Sequence, residues 1–575
     1  MNKRLRTGVA VGAFLMLAAP LQAHAGSRAS DKHGQKIERV LLISVDGMHA
    51  VDFANCSTGL SGVNSGNPYC PNLKQLAQTG VNYVDTATSK PSDSFPGLMA
   101  LVTGGTPRTV GAYYDVAYDR FLAPPVNTTG NGVAGGTCTP GVANGTRTEY
   151  DEGIDLDQTQ LNGGAPSGDG GINAIDPNKL TRDPNRNCDP VYPWNFIRTN
   201  TIFGVIHREG GYTAWSDKHA SYAAVSGPGH DASNLDDYFS PEINSVEVAM
   251  PQNQIMSCNP LPDNAAFMAG DDYTGSFQNI QCYDSLKVQA ILNEIDGRNH
   301  NGSAKAHVPN IFGMNFQAVS IGQKLIYQHG SVAPGYSVQG GYLDSIGTPS
   351  NSLLQEIEFI DNSIGMMVSE LKKQRLYDST MIVITAKHGQ SPIDLARFFP
   401  IPGHSGLNGE PPSQIVASLL PSSETGGIGP TEDDVSLLWL TDSSQTANAV
   451  SMLEANAALA GIGQIFSGPT LSLVYNTPGL APTGDPRTPD IIVAPNVGVV
   501  YTGSKKKDAE HGGFAHDDIN VIMLVSNPRF QSATVTSPVE TTQVAPTILA
   551  ALGLDPQLLQ AVQAEGTQVL PGLGF

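Results

Sequence analysis

Val40-Leu41-Leu42-Ile43-Ser44-Val45 runs with a single polar side chain and then stops at Asp46-Gly47. A strand with one wet face alternates apolar and polar residues, so an unbroken run of this length belongs to a strand covered on both faces, as in a parallel sheet. Two further runs end in the same way. Ile311-Phe312-Gly313-Met314-Asn315-Phe316 stops at Gln317-Ala318-Val319, and Thr380-Met381-Ile382-Val383-Ile384-Thr385-Ala386 stops at Lys387-His388-Gly389. Between them Leu353, Leu354, Ile357, Ile360, Ile364, Met367, Val368 and Leu371 form a stripe of helical period. Strand, helix, strand in this order predicts an α/β fold with a doubly wound, mostly parallel sheet. Asn520–Val525 reads as a further strand, and Val544-Ala545-Pro546-Thr547-Ile548-Leu549 opens a last helix.

Ligands of open α/β sheets bind beyond the C-terminal ends of the strands, which puts Asp46 and His388 in candidate positions. Ser92-Asp93-Ser94-Phe95-Pro96-Gly97 supplies a third. Ser94 reads as a helix N-cap, Pro96 sits in the first turn, and Gly104-Gly105 ends the helix. Most capping serines do nothing more. A serine hydroxyl at this end also lies beside unpaired N–H groups and the positive end of the helix dipole, which suits a nucleophile that attacks an anionic centre. His511, in the turn-rich Asp508-Ala509-Glu510-His511-Gly512-Gly513, is a fourth candidate. A carboxylate, a hydroxyl and two imidazoles at one sheet edge can hold a cation and activate the serine. Trp215-Ser216-Asp217-Lys218-His219 follows a strand-like stretch, so Asp217 and His219 are candidate substrate contacts or replacement ligands. A solvated turn there is as good a reading. His516-Asp517-Asp518 offers one more ligand, with Asp518 better placed to hold its loop.

The chain begins with a basic Met1-Asn2-Lys3-Arg4-Leu5-Arg6, an apolar run to Leu21 and Ala23-His24-Ala25, the pattern of a secretory signal peptide over residues 1–25. The protein is therefore expected to be exported, periplasmic or secreted, with no membrane anchor. Loss of Lys3, Arg4 and Arg6 takes the net charge from −21 to −24, which repels nucleic-acid polymers. Six cysteines without Cys-x-x-Cys spacing read, in an exported chain, as disulfides between sequence neighbours: Cys56–Cys70, Cys138–Cys188 and Cys258–Cys282. Residues from about 121 to 187 read as a Gly/Asp-rich insertion with a weak cation signal at Asp155 and Asp157. Residues 402–495 read as a cap inserted into a core made of 26–401 and 496–575.

In order along the chain, Val45-Asp46-Gly47, Ser94-Phe95-Pro96, Val102-Thr103-Gly104, Gly111 with Tyr118-Asp119, His388-Gly389, His511-Gly512 and Thr541–Leu549 resemble the type I phosphodiesterases/nucleotide pyrophosphatases of the alkaline phosphatase superfamily. The resemblance implies an alkaline phosphatase-like fold and a hydrolase acting on a small phosphoester. It also implies a divalent metal, zinc, as one or two ions held by Asp46, Ser94, His388 and His511, with Ser94 as the activated nucleophile. Three ligands of the family pattern are missing. Lys387-His388-Gly389 stands for Asp-His-Gly, and Val319 and Gln323 replace the Asp and His of Pro-Asp-x-x-Gly-His. Gly97 replaces an Asn.

Lys387 is then a second catalytic candidate, and three readings stay open. Its ammonium replaces a cation, or it is the general base for Ser94, or it only pairs with Asp46 or Asp93. Two other functions compete with the phosphoesterase: a sulfate or other ester hydrolase of the same superfamily, and a non-catalytic binding protein that keeps the fold. No Cys-x-Pro-x-Arg or Ser-x-Pro-x-Arg motif supports the sulfatase.

Overall fold

β1 (Arg39–Val45) carries buried side chains toward both faces of a sheet. Val40 and Leu42 join an apolar cluster with Leu98, Met99 and Val102. Leu41, Ile43 and Val45 join a second one with Ile357, Ile360 and Ile364. This two-sided burial is the physical reason for the continuous apolar run, because both faces are roofed by helices. The computed structural model describes residues 36–156, 171–245, 254–258, 260–268, 271–326, 333–402, 409–421 and 431–575. The leader read over residues 1–25 and the cation candidate Asp157 lie outside them.

The other strands of the main sheet are β2 (Gly80–Tyr83), β3 (Ala214–Ser216), β4 (Asp237–Phe239), β5 (Ile311–Phe316), β6 (Thr380–Thr385), β7 (Leu524–Ser526) and β8 (Ala533–Val535). Their spatial order is β8-β2-β7-β6-β1-β5-β3-β4. β1 pairs in parallel with β5 and β6, in a register that opposes Val45 to Phe316 and Ser44 to Thr385. The C-terminal ends of these three strands are therefore level, and the residues that follow them share one edge. The expected strand over Asn520–Val525 is shorter and shifted, because Asn520 and Val521 make isolated bridges to Ala87 and His49 before β7 begins. β7 also runs antiparallel to both β6 and β2, so the sheet is mixed at that side.

Helix α1 (Ser94–Thr103) has all ten residues buried and ends at Gly104 in the left-handed conformation, φ 77°. Its cap differs from the sequence reading. Asp93 is the N-cap, its Oδ2 accepting from Phe95 N at 3.2 Å, and Ser94 is the first helical residue. The carboxylate does the capping, which leaves the neighbouring hydroxyl free for other partners. On the opposite face lie α2 (Phe277–Ile295), α3 (Ala318–Lys324) and α4 (Asn351–Lys373), and α5 (Val544–Leu552) packs on the same side as α1. α4 starts just before the apolar stripe because the Ser350 hydroxyl accepts from Leu353 N.

Residues 402–495 contain a separate antiparallel sheet of Thr431–Glu432, Ser436–Leu438, Ile491–Pro495 and Ile462–Ser467, with a helix at Thr446–Ala455. Lys36–Phe575 nevertheless forms one compact unit. Ion pairs tie the segment down: Arg198 to Asp485 at 2.6 Å, Arg487 to Asp119 at 3.0 Å, and Arg120 to Asp490. The three disulfides pair as expected, Cys56–Cys70, Cys138–Cys188 and Cys258–Cys282. Among the described residues no helix is long and apolar enough to cross a membrane.

Candidate active site

The level strand ends bring Asp46 (after β1), Gln317 (after β5), Lys387 and His388 (after β6) and Asp217 and Lys218 (after β3) to one edge, where the N-terminus of α1 adds Ser94. Gly97 makes the last approach possible. A Cβ on it would lie 2.2 Å from the Lys387 carbonyl oxygen, so only glycine lets α1 pack this closely on the loop after β6.

Asp46 is fully buried among amide and ammonium donors, with the His388 ring beside them. Asn315 Nδ2 donates to its Oδ1 and Gln317 Nε2 to its Oδ2, each at 2.7 Å. His388 Nε2, Lys218 Nζ and Lys387 Nζ stand 3.4, 3.6 and 3.8 Å from Oδ2. Burial opposes the charge on Asp46, but Lys387 and His388 outweigh it and hold the carboxyl well below its usual range. Ser94 Oγ lies 3.1 Å from His388 Nε2 and accepts from Lys218 Nζ at 3.0 Å. Burial, and then the charge of His511, push the pKa of His388 down to about 4, so its ring is neutral near pH 7. Burial works against the Lys218 ammonium too, yet Asp46, Asp217, Asp115 and Asp93 raise its pKa.

Lys387 is fully buried, with Nζ 3.2 Å from Asp217 Oδ1 and 4.4 Å from the centre of the Tyr222 ring. Of the three sequence readings, the ion pair with Asp46 forms, Asp217 joins it, and Asp93 does not. The contact expected of Lys387 as a base for Ser94 belongs instead to Lys218. Asp217 is buried, accepts from Trp215 Nε1 at 2.9 Å and from Lys387 Nζ at 3.2 Å, and does not line the cleft. His219 does line the cleft. Its Nδ1 is 2.8 Å from Glu242 Oε1, and burial lowers its pKa to about 4. Asp155 is buried beside Glu242, and Asp518 faces Asp434 and the loop at Gly513. His516 is exposed at the start of a short helix.

His511 stacks on His388, ring centres 4.1 Å apart, with Nε2 3.4 Å from Asp93 Oδ1. The other positions of that half have turned away. Val319 is core, and Gln323 Nε2 donates to Gly47 O at 2.7 Å and to Tyr342 Oη at 2.8 Å. Asp46, Ser94, His388 and His511 are thus gathered as expected, but with two ammonium groups among them. Both oxygens of Asp46 are already hydrogen-bonded, and among the described residues no group of three or more His, Cys, Asp or Glu side chains is placed to hold a metal ion. This donor set does not fit a zinc pair, and the reason is electrostatic: the cations are supplied by lysine.

The site opens into a cleft of about 500 Å³ lined by Lys218, His219, Asp115, Lys324, Asp433 and His511, among others. Sequence reasoning named both neighbours of Lys218 and passed over Lys218 itself. The available signal was its place in Trp215-Ser216-Asp217-Lys218-His219, after a strand that proves to be β3.

A family model described as type I phosphodiesterase / nucleotide pyrophosphatase matches residues 40–142 and 340–517. No curated protein matches the chain. Among solved structures, murine ectonucleotide pyrophosphatase / phosphodiesterase 5 is similar at 13% identity and TM-score 0.49, over 90% of this chain and 96% of that one. The human protein of the same name gives 13% and 0.47 over 90% and 95%. A wild-type alkaline phosphatase, PafA, gives 10% and 0.48 over 90% and 96%.

Proposed function

Because the chain belongs to the type I phosphodiesterase / nucleotide pyrophosphatase family, we propose that it hydrolyses a small phosphodiester or nucleotide pyrophosphate by attack of Ser94. The observation that carries this reading is the setting of Ser94 Oγ, held between His388 Nε2 at 3.1 Å and Lys218 Nζ at 3.0 Å beside a polar cleft. Ser94 Oγ bonds to phosphorus as the bond from phosphorus to the leaving oxygen breaks, and the serine proton leaves on that oxygen. Water then attacks the phosphoserine, returning the proton to Ser94 and releasing the phosphate product. The N-terminal, positive end of the α1 dipole faces the same spot, where negative charge accumulates.

Three disulfides support an oxidising compartment outside the cytoplasm, consistent with an exported protein. The acidic balance of the chain favours a small substrate over a nucleic-acid polymer. The test is hydrolysis of nitrophenyl phosphate mono- and diesters and a nitrophenyl sulfate by wild type and Ser94→Ala. Turnover of a phosphate ester that Ser94→Ala abolishes supports the reading. Sulfate turnover alone would move the protein to the sulfatase reading, and no turnover of any ester would leave the binding-protein reading.

A further inference from the structure

We propose that this site transfers the phosphoryl group without a divalent metal, with Lys218 supplying the positive charge at Ser94 and His388 taking the serine proton. The proposal rests on Ser94 as the nucleophile and goes beyond it to the source of charge and the base. His388 Nδ1 lies 2.8 Å from the carbonyl oxygen of Gly389, a group that can only accept. In the neutral ring Nδ1 therefore carries the proton, and the Nε2 lone pair faces Ser94 Oγ at 3.1 Å, nearer than Asp46 Oδ2 at 3.4 Å. A hydroxyl facing a neutral imidazole nitrogen, with the far side of the ring fixed by a hydrogen bond, is the arrangement of an activated serine.

Lys218 occupies the place a cation would take beside that hydroxyl. Its ammonium has three hydrogens: one goes to Ser94 Oγ at 3.0 Å, one points toward Asp46 Oδ2 at 3.6 Å, and the group also borders the cleft. It is placed to meet a developing alkoxide and then the non-bridging oxygens of the substrate. Lys387 completes the balance. With Lys218 it sets two ammonium groups against the carboxylates of Asp46 and Asp217, so a divalent ion would enter against two like charges. The position of Lys387 is built into the backbone, because Gly97 alone allows its carbonyl to lie against α1.

In the first step the Ser94 O–H bond breaks and its proton passes to His388 Nε2. The Oγ–phosphorus bond forms while the leaving oxygen departs and takes that proton. In the second, water gives a proton to His388 and its oxygen to phosphorus, and the proton returns to Ser94 as the serine–phosphorus bond breaks.

The experiment uses the full chain, purified and dialysed against a chelator. It reads metal content by mass spectrometry, hydrolysis of bis(4-nitrophenyl) phosphate, and covalent labelling of Ser94 by a fluorophosphonate, which needs an activated serine but no turnover. Metal-poor protein should keep hydrolysis and labelling within about twofold. Lys218→Met should slow both by about 100- to 1,000-fold, as removal of an oxyanion donor does, with partial rescue in Lys218→Arg. Lys387→Asp should gain about one zinc by the same measurement, because it restores a carboxylate and removes an ammonium. Labelling that disappears with chelator and returns with zinc overturns the proposal, whatever the turnover. Intact metal-free labelling without turnover of any ester sustains the activation of Ser94 by Lys218 and His388 without metal, and overturns phosphoryl transfer along with the phosphoesterase reading. No labelling of untreated protein overturns both.

Discussion

The two halves of the site depart from the ligand pattern that the family resemblance implies in different ways. Around Asp46, Lys387 stands where a carboxylate is expected, and the buried network closed over the change with Lys218, Asp217, Asn315 and Gln317. Charge was exchanged for charge. Around His511, Val319 became core and Gln323 turned to Gly47 and Tyr342, leaving the histidine with Asp93 and the ring of His388. There the ligand set dissolved into packing. A buried charge must keep a partner, whereas a neutral residue can be absorbed by whatever surrounds it.

If the Asp46 half carries the chemistry, Ser94→Ala should lower kcat/KM for a phosphodiester by at least about 10,000-fold in steady-state assays, with thermal stability unchanged. Gly97→Ala tests the same half through the backbone. Its Cβ would fall 2.2 Å from Lys387 O, so the loop after β6 must move, and a displacement near 1 Å is worth about 100-fold in rate. Unchanged kinetics in Gly97→Ala would show that the seat of Lys387 does not matter. In the other half, His511→Ala should cost less than about tenfold, since its ring stacks on the base and pairs with Asp93 rather than with Ser94. A loss equal to that of Lys218→Met would erase the distinction between the halves. Val319→Asp with Gln323→His should bind no zinc and should destabilise the protein by about 2–4 kcal/mol in denaturant unfolding, because it puts a carboxylate into the core.

The smallest effect concerns pH. Burial, and then Asp93, raise the Asp115 carboxyl from 3.8 to about 7. Between those values the unfolded chain has released a proton that the folded one keeps, so stability falls as pH rises from about 4 to about 7 and is level beyond it. Asp115→Asn should make the thermal midpoint fall less steeply across that window. An identical slope would show that the Asp115 carboxyl on the cleft wall does not hold its proton in the folded chain.

Much of this was legible along the chain. Two-sided burial writes itself as unbroken apolar runs, so β1, β5 and β6 and the polar residues that follow them could be read directly. So could the helical stripe of α4 and the ordered motifs, whereas the cysteine pairs were one choice among fifteen connectivities, settled by the structure. β7 was harder, because a short antiparallel strand flanked by bridges has the same composition as a longer one. Lys218 was harder still, because a lysine beside an aspartate and a histidine in a turn resembles any solvated turn.

The sequence alone determined that Asp46, Ser94, His388 and His511 would meet at one sheet edge, because strand ends and a capped helix leave little choice of place. It also determined that Lys387 would be among them. Only the tertiary structure decided that Asp93 rather than Ser94 caps α1, that Asp217 pairs with Lys387, and that Lys218 reaches the serine. Those outcomes depend on distances of a few ångströms between segments far apart in the chain, where competing donors and charges settle in a shared low-dielectric space. Local pattern carries no record of that competition.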